Sequence, residues 1–282
     1  MATPRDYLAF RLWGPTASWG TIAVGEQRHT WSRPSRSAVL GLIAAALGYE
    51  RQDQDAHAAL ERGLGVAVRV DRAGSPLRDY HTTQSPSQEG KRRWTSRYDE
   101  IRNAKSLNTI LSERAYLIEQ SVLVMLWLRP HAMTASLAEI AVRLEKPRFA
   151  PYLGRKASPL GIPLKPVMIP GAETLAAAFD AFDTQECNAS KLSKSKHEAS
   201  AAAAYRRPRA WLVPDLVRPA GMSPAAVWIG LDDVGSVESP FIGPYEIVER
   251  TERRDGVRDR RTWTFSDRAE IRVKLCLKEQ SI

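Results

Sequence analysis

The apolar positions fall into short blocks with distinct periods. Tyr7-Leu8-Ala9-Phe10-Arg11-Leu12-Trp13 alternates and stops at Gly14-Pro15, which predicts a first strand. Residues 16–33 are polar and loop-like. Residues 38–47 are apolar nearly all round and predict a buried helix, with Ser35 or Ser37 as N-cap and Gly48 at C′. Residues 55–62 predict a second short helix and residues 65–71 a second strand. From 77 to 119 the chain turns polar, basic and poor in aliphatic residues, which predicts an arm inserted between two strands. Apolar strand-like residues resume at 121–128. An amphipathic helix over 134–144 follows, ended by Pro147, and then a Gly154-containing loop and a Pro-rich stretch to Pro170.

Strand, helix, strand, arm, strand, helix, loop approaches the βαββαβ order of a ferredoxin-like or RNA-recognition-motif fold, and the fold class is α+β. That order alone does not specify a function. Beyond residue 166 the pattern predicts a smaller, β-rich part. It has a helix at 173–182, a Lys-, Ser- and Ala-rich basic segment at 190–209, and strands at 211–217 and 226–234. Residues 245–253 and 257–265 predict a hairpin turning on Asp255-Gly256. The expected division is therefore 1–165, with the arm at 77–119, and 166–282.

Charge changes the picture. Forty-one Lys and Arg against thirty-two Asp and Glu give +9 and a pI near 9.7, an excess that suits a polyanionic partner. The two cysteines, Cys187 and Cys276, make no disulfide framework, and no apolar run reaches the length of a membrane span, so the expectation is a cytoplasmic protein that uses no membrane.

A P-loop, G-x-G-x-x-G behind a strand, H-E-x-x-H and G-x-S-x-G are all absent, and the five histidines show no metal-ligand spacing. The expectation is no cofactor, no metal and no catalytic site. The adjacent Asp232 and Asp233 read as a solvated turn. The chemistry present is that of phosphate and base binding. At Arg33-Pro34-Ser35-Arg36-Ser37, free N–H groups at a helix start can meet an anion between two guanidiniums; plain capping with solvated arginines is the other reading. The arm interleaves Arg78, Lys91, Arg92, Arg93 and Arg97 with Tyr80, His81, Trp94 and Tyr98, which suits single-stranded RNA because cations track the backbone and rings stack on bases. Gly154-Arg155-Lys156, behind Lys146, Pro147 and Arg148, reads either as a second phosphate cradle or as an ordinary left-handed turn. Trp19 beside Gly20 reads either as a stacking ring or as a cap on the core.

Several of these blocks together resemble one family. Tyr7 to Pro15, Ala17-Ser18-Trp19-Gly20, Pro34-Ser35-Arg36-Ser37, Leu40-Gly41-Leu42, Leu77-Arg78-Asp79-Tyr80-His81-Thr82 and Lys146 to Arg155 resemble the fifth family of CRISPR-associated (Cas) proteins, in its type I-E Cascade form. The likeness spans about residues 7–164 and is weak beyond, around Arg254-Asp255 and residues 263–268. It implies an RNA-recognition-like domain of the repeat-associated (RAMP) type with a long thumb hairpin, which falls on the arm. It also implies an RNA-binding, ribonucleoprotein role in antiviral defence: holding the 5′ handle of the guide RNA (crRNA), capping the backbone filament and adjoining the large PAM-reading subunit. Target DNA is then met only through the complex. Under the resemblance Arg33, Ser35 and Arg36 contact phosphate, Arg148, Arg155 and Lys156 line the handle pocket, and the thumb side chains meet the guide.

A related subtype cuts precursor RNA without metal, using Tyr, Lys and His. Tyr80, His81 and Lys91 would fill those roles in a competing endoribonuclease reading. A protein–protein adaptor with no RNA affinity is the third.

Overall fold

The computed structural model describes residues 3–21, 23, 25–87, 94–130, 135–198, 226–234, 241–243, 245–259 and 264–275. Strand β1 (Arg5–Trp13) leads into four two-residue strands, β2 (Thr16–Ala17), β3 (Trp19–Gly20), β4 (Gln27–Arg28) and β5 (Thr30–Trp31). Next come α1 (Arg36–Leu47), α2 (Gln54–Gly63) and β6 (Leu64–Arg72). The long strands β7 (Ser75–Pro86) and β8 (Leu107–Ile118) flank a short helix, α3 (Arg97–Asn103). There follow β9 (Ser121–Leu128), α4 (Leu137–Glu145), β10 (Val167–Ala172), α5 (Leu175–Glu198), β11 (Ala226–Gly230), α6 (Leu231–Val234), β12 (Tyr245–Asp259) and β13 (Thr264–Leu275).

Local chemistry explains the helix ends. Ser35 caps α1 by accepting from Ala38 N–H at 3.0 Å, and Gly48 ends it with φ of 88°. Ser136 caps α4 in the same way, accepting from Glu139 N–H at 3.1 Å.

Seven strands form one sheet in the order β10-β1-β9-β6-β11-β13-β12, each neighbouring pair antiparallel. Both faces of β1 are covered, so its alternation sorts two cores rather than core from solvent. Leu8, Phe10 and Leu12 pack with α1, α2 and α4 through Val39, Ile43, Leu60, Ile140 and Leu144. Tyr7 and Ala9 face the other way, with Met125, Trp127 and Phe179 and Phe182 of α5. The molecule is thus a mixed α/β, mostly antiparallel, three-layer body.

The arm stands apart from this sheet. Strands β7 and β8 pair from Ser75↔Ile118 to Pro86↔Leu107, a two-stranded ribbon that at about 3.3 Å per residue runs roughly 40 Å.

The described strands after residue 166 join the sheet of the preceding part: β10 pairs with β1, and β11 pairs with β6 through Val227↔Arg69 and Ile229↔Ala67. Two expectations need correction. The strand expected over 226–234 stops at Gly230 and turns into α6. Asp255-Gly256 is not the hairpin turn but a bulge inside β12, where the register shifts between Arg254 and Gly256. The Asp255 carboxylate is buried on Arg268, and a Cβ at Gly256 would lie 2.6 Å from Ser266 Oγ, so the glycine admits the close crossing. Of the basic segment, residues 190–198 continue α5. Residues 199–209 and the strand expected at 211–217 lie outside the described residues.

Candidate nucleic-acid interface

The base of the arm is held along the outer edge of β8. Strand β2 pairs with Leu117 and Ile118, and β4 pairs in parallel with Glu113 and Arg114. Residues 107–112 have β7 as their strand partner and project as the free part of the ribbon. Arg78 is 83% exposed at its side chain and sits 3.4 Å from Glu113, while Tyr80 is 66% exposed. His81 Nδ1 lies 3.0 Å from Asp79 Oδ2. Consecutive residues of a strand point to opposite faces, so Tyr80 and His81 are not brought together. At the tip, Ser96 caps α3, Arg97 donates to the Gln84 carbonyl and pairs with Glu100 at 2.5 Å, and Tyr98 is exposed. Trp94 is half-buried there, and Lys91, Arg92 and Arg93 lie outside the described residues.

The helix-start motif is placed otherwise. Arg33 and Arg36 are buried. Arg33 pairs with Glu270 and lies over Trp228, its guanidinium carbon 3.2 Å from the ring centroid. Arg36 Nε donates to Asp233, and its Nη2 donates to the carbonyls of Glu61 and Leu64 at 2.7 Å each. The anion at the start of α1 is the protein's own: Arg36 N–H donates to Asp255 Oδ2 at 3.1 Å, where the helix dipole favours a carboxylate. Ser35 is occupied as the cap. Trp19 is also internal, its ring N–H donating to Gln120 Oε1.

Residues 146–158 form the second candidate surface. Arg148 and Lys156 are exposed. The backbone N–H groups of Arg148 and Phe149 donate to the carbonyls of Ala46 and Ala45 at the end of α1, at 3.0 and 3.1 Å. Gly154 has φ of 85°, and a Cβ there would lie 1.9 Å from the Ser18 carbonyl, so only glycine fits this crossing. Arg155 turns away from Lys156 toward the arm, donating from Nη2 to the Arg28 carbonyl at 3.0 Å.

Sequence reasoning missed the charge cluster behind α1. Asp233, read as part of a solvated turn, is buried and takes Arg36 and, at 3.4 Å, Arg129; Asp232 beside it is exposed. Arg268 forks onto Asp255 at 2.9 and 3.1 Å. Arg253, buried against Trp31, donates to the carbonyls of Arg33 and Pro34, and burial pulls its guanidinium down to about 10 against the pull of Glu270. A second network joins Arg11 and Arg69 of the sheet to Asp71 and to Asp183 and Glu186 of α5. The one local signal was an arginine among apolar strand residues. Among the described residues no group of His, Cys, Asp and Glu is arranged to hold a metal ion. Nor is any helix among them long and apolar enough to cross a membrane.

Two solved structures share the fold: a chain described as CRISPR RNA-guided surveillance complex, with TM-score 0.52 and 22% identity over 95% of this chain and 90% of that one, and one described as crystal structure of Cas protein, with TM-score 0.50 and 22% identity over 95% of each. The CRISPR system Cascade subunit CasD of Escherichia coli (strain K12) is 39% identical over 168 residues, 57% of this chain and 70% of that protein. Residues 7–261 match the family described as CRISPR-associated protein (Cas_Cas5). A match of that extent settles the family: the chain belongs to the CRISPR-associated Cas_Cas5 proteins.

Proposed function

We propose that this chain is the subunit of a type I-E Cascade interference complex that holds the 5′ handle of the guide RNA and caps the backbone filament, as a binder and not as an enzyme. The observation that carries the reading is the arm: a ribbon paired over its whole length, with Arg78 and Tyr80 exposed, in a chain of this family. A rigid exposed ribbon with cations and rings is suited to a single strand of RNA. The strand order β10-β1-β9-β6, with α1 and α2 crossing from β1 to β6 and α4 from β9 to β10, supports a ferredoxin-like RAMP domain over residues 1–165 whose last strand, β10, is supplied by Val167–Ala172 just past that boundary. Strands β11, β13 and β12 widen the same sheet, and α5 backs it.

The guide contacts in this reading are Arg78, Tyr80, His81, Trp94, Arg97 and the basic run Lys91-Arg92-Arg93 on the arm, with Arg148 and Lys156 on the neighbouring loop. Arg33, Ser35, Arg36 and Trp19 shape the body beneath them. The first backbone subunit and the large PAM-reading subunit are the protein partners, and target DNA is met through the complex. The endoribonuclease alternative needs Tyr80 and His81 to act on one phosphate, and their opposite faces count against it.

The test is incubation of the purified chain, in EDTA, with labelled CRISPR repeat RNA and with mature guide carrying its 5′ handle. Binding with both RNAs intact is expected. A discrete cut in the repeat, abolished by Tyr80→Phe or His81→Ala, overturns the non-enzymatic reading; no binding at any salt overturns the RNA reading altogether.

A further inference from the structure

We infer that Arg155 is a positioning residue that sets the angle at which the arm leaves the body, and that its guanidinium serves the arm's base instead of a phosphate. The inference rests on the reading of the arm as the guide-binding part.

The outer edge of β8 is paired at Glu113 and Arg114 by β4 and at Leu117 and Ile118 by β2, with a gap between them. In that gap the carbonyl of Ala115 accepts from Ser18 Oγ at 2.9 Å and from Arg155 Nη1 at 3.4 Å. The same guanidinium donates from Nη2 to the Arg28 carbonyl on β4, and its carbon lies 4.9 Å from the centroid of the Tyr116 ring. One planar fork therefore bridges β4 and β8 and stacks on the ribbon it bridges, a geometry a single ammonium cannot reproduce.

The clamp has a fixed mount. Leu153 N–H donates to the Ser158 carbonyl at 2.7 Å, Ser158 N–H to the Arg155 carbonyl at 2.8 Å, and Ser18 N–H to the Leu153 carbonyl at 3.0 Å. Gly154, wedged on the Ser18 carbonyl, fixes the same loop against the same segment. Beyond Glu113 the ribbon has no further strand partner among the described residues, so a small change of angle at its base, where β4, β2 and this clamp hold it, is magnified along its length.

The experiment measures amide hydrogen exchange across residues 107–118 of the free full chain, and the salt dependence of guide binding, for Arg155→Lys and Ser18→Ala. Lys156→Ala serves as the neighbouring-cation control. Expected for both clamp variants is exchange at 107–118 faster by about tenfold, the loss of roughly one hydrogen bond's worth of local protection. Exchange in β1 and β9 should not change, and guide binding should weaken at every salt with an unchanged log–log slope. Lys156→Ala should do the reverse, lowering the slope and leaving exchange alone. Unchanged exchange in Arg155→Lys and Ser18→Ala, or a slope lowered by about 0.7 in a charge-removing Arg155→Gln that leaves exchange as in the wild type, overturns the inference, since it makes Arg155 an ordinary phosphate contact. The exchange readout contains no RNA, so a wild-type chain that bound no guide would sink the RNA reading without touching the clamp.

Discussion

The Nε of Arg36 donates to both carboxylate oxygens of Asp233, at 3.0 Å each, across 197 residues of chain. Both side chains are buried, so neither charge has water to fall back on. Removing one member of such a pair leaves the other stranded, at a cost of about 3–5 kcal/mol. Asp233→Ala should lower the urea midpoint accordingly. The double replacement Arg36→Met with Asp233→Leu should recover part of the loss, because it strands neither of these two charges, while Arg129 loses its partner at 3.4 Å and the Glu61 and Leu64 carbonyls lose a donor. A midpoint unchanged in Asp233→Ala would show that the pair does not hold α1 to the end of β11.

A second stability prediction concerns Gly65, the cross-strand partner of Trp127. A Cβ at Gly65 would lie 2.0 Å from Cε2 of the indole, and Trp127 is itself locked between Tyr7 and Phe241. The ring has nowhere to move. Gly65→Ala should therefore destabilise by about 3 kcal/mol, the upper end of an overpacking cost, read as a shift in the same urea titration. A silent substitution would mean that the indole is free to tilt.

How much of this was readable beforehand depended on range. The cap at Ser35, the stop at Gly48 and the span of the arm follow from neighbours within a few residues, and local chemistry specifies them wherever the rest of the chain goes. The fate of Arg33 and Arg36 does not. A guanidinium at a helix start looks the same in sequence whether it meets a phosphate or a carboxylate, and the carboxylates that claim Arg33 and Arg36, Glu270 and Asp233, lie more than 190 residues away. Asp255-Gly256 misled for a related reason. That pair favours a tight turn when strands end there, yet a buried partner for Asp255 and close approach at Gly256 suit a bulge equally well.

Tyr7 yields a pH prediction. Its hydroxyl is buried and has no hydrogen-bond partner among the described residues, and burial pushes its ionisation well above the usual value near 10, with Arg5 pulling back. The folded state thus keeps a proton that the unfolded chain releases. The contribution is fully present below pH 10 and is lost as pH rises beyond it. Tyr7→Phe removes both the unmet hydroxyl and the linkage. It should raise stability at pH 8 by about 1 kcal/mol and flatten the decline between pH 10 and 11 in parallel unfolding titrations. An identical alkaline decline in both proteins would mean that the hydroxyl is solvated.

The arm's charges and rings should separate in a salt titration. Each phosphate neutralised on a single strand contributes roughly 0.7 to the slope of log K against log salt, whereas a stacked ring contributes none. Replacing Lys91, Arg92 and Arg93 together by Ala should lower the slope by about 2 and weaken binding most at low salt. Tyr80→Ala removes an exposed ring from the ribbon and should weaken binding by about 1–3 kcal/mol at every salt with the slope intact. Unfolding midpoints should hardly move, since Tyr80 packs on neither core cluster of the body. If the triple variant keeps both the affinity and the slope of the wild type, the arm does not track the guide backbone, and the excess positive charge of the chain acts elsewhere.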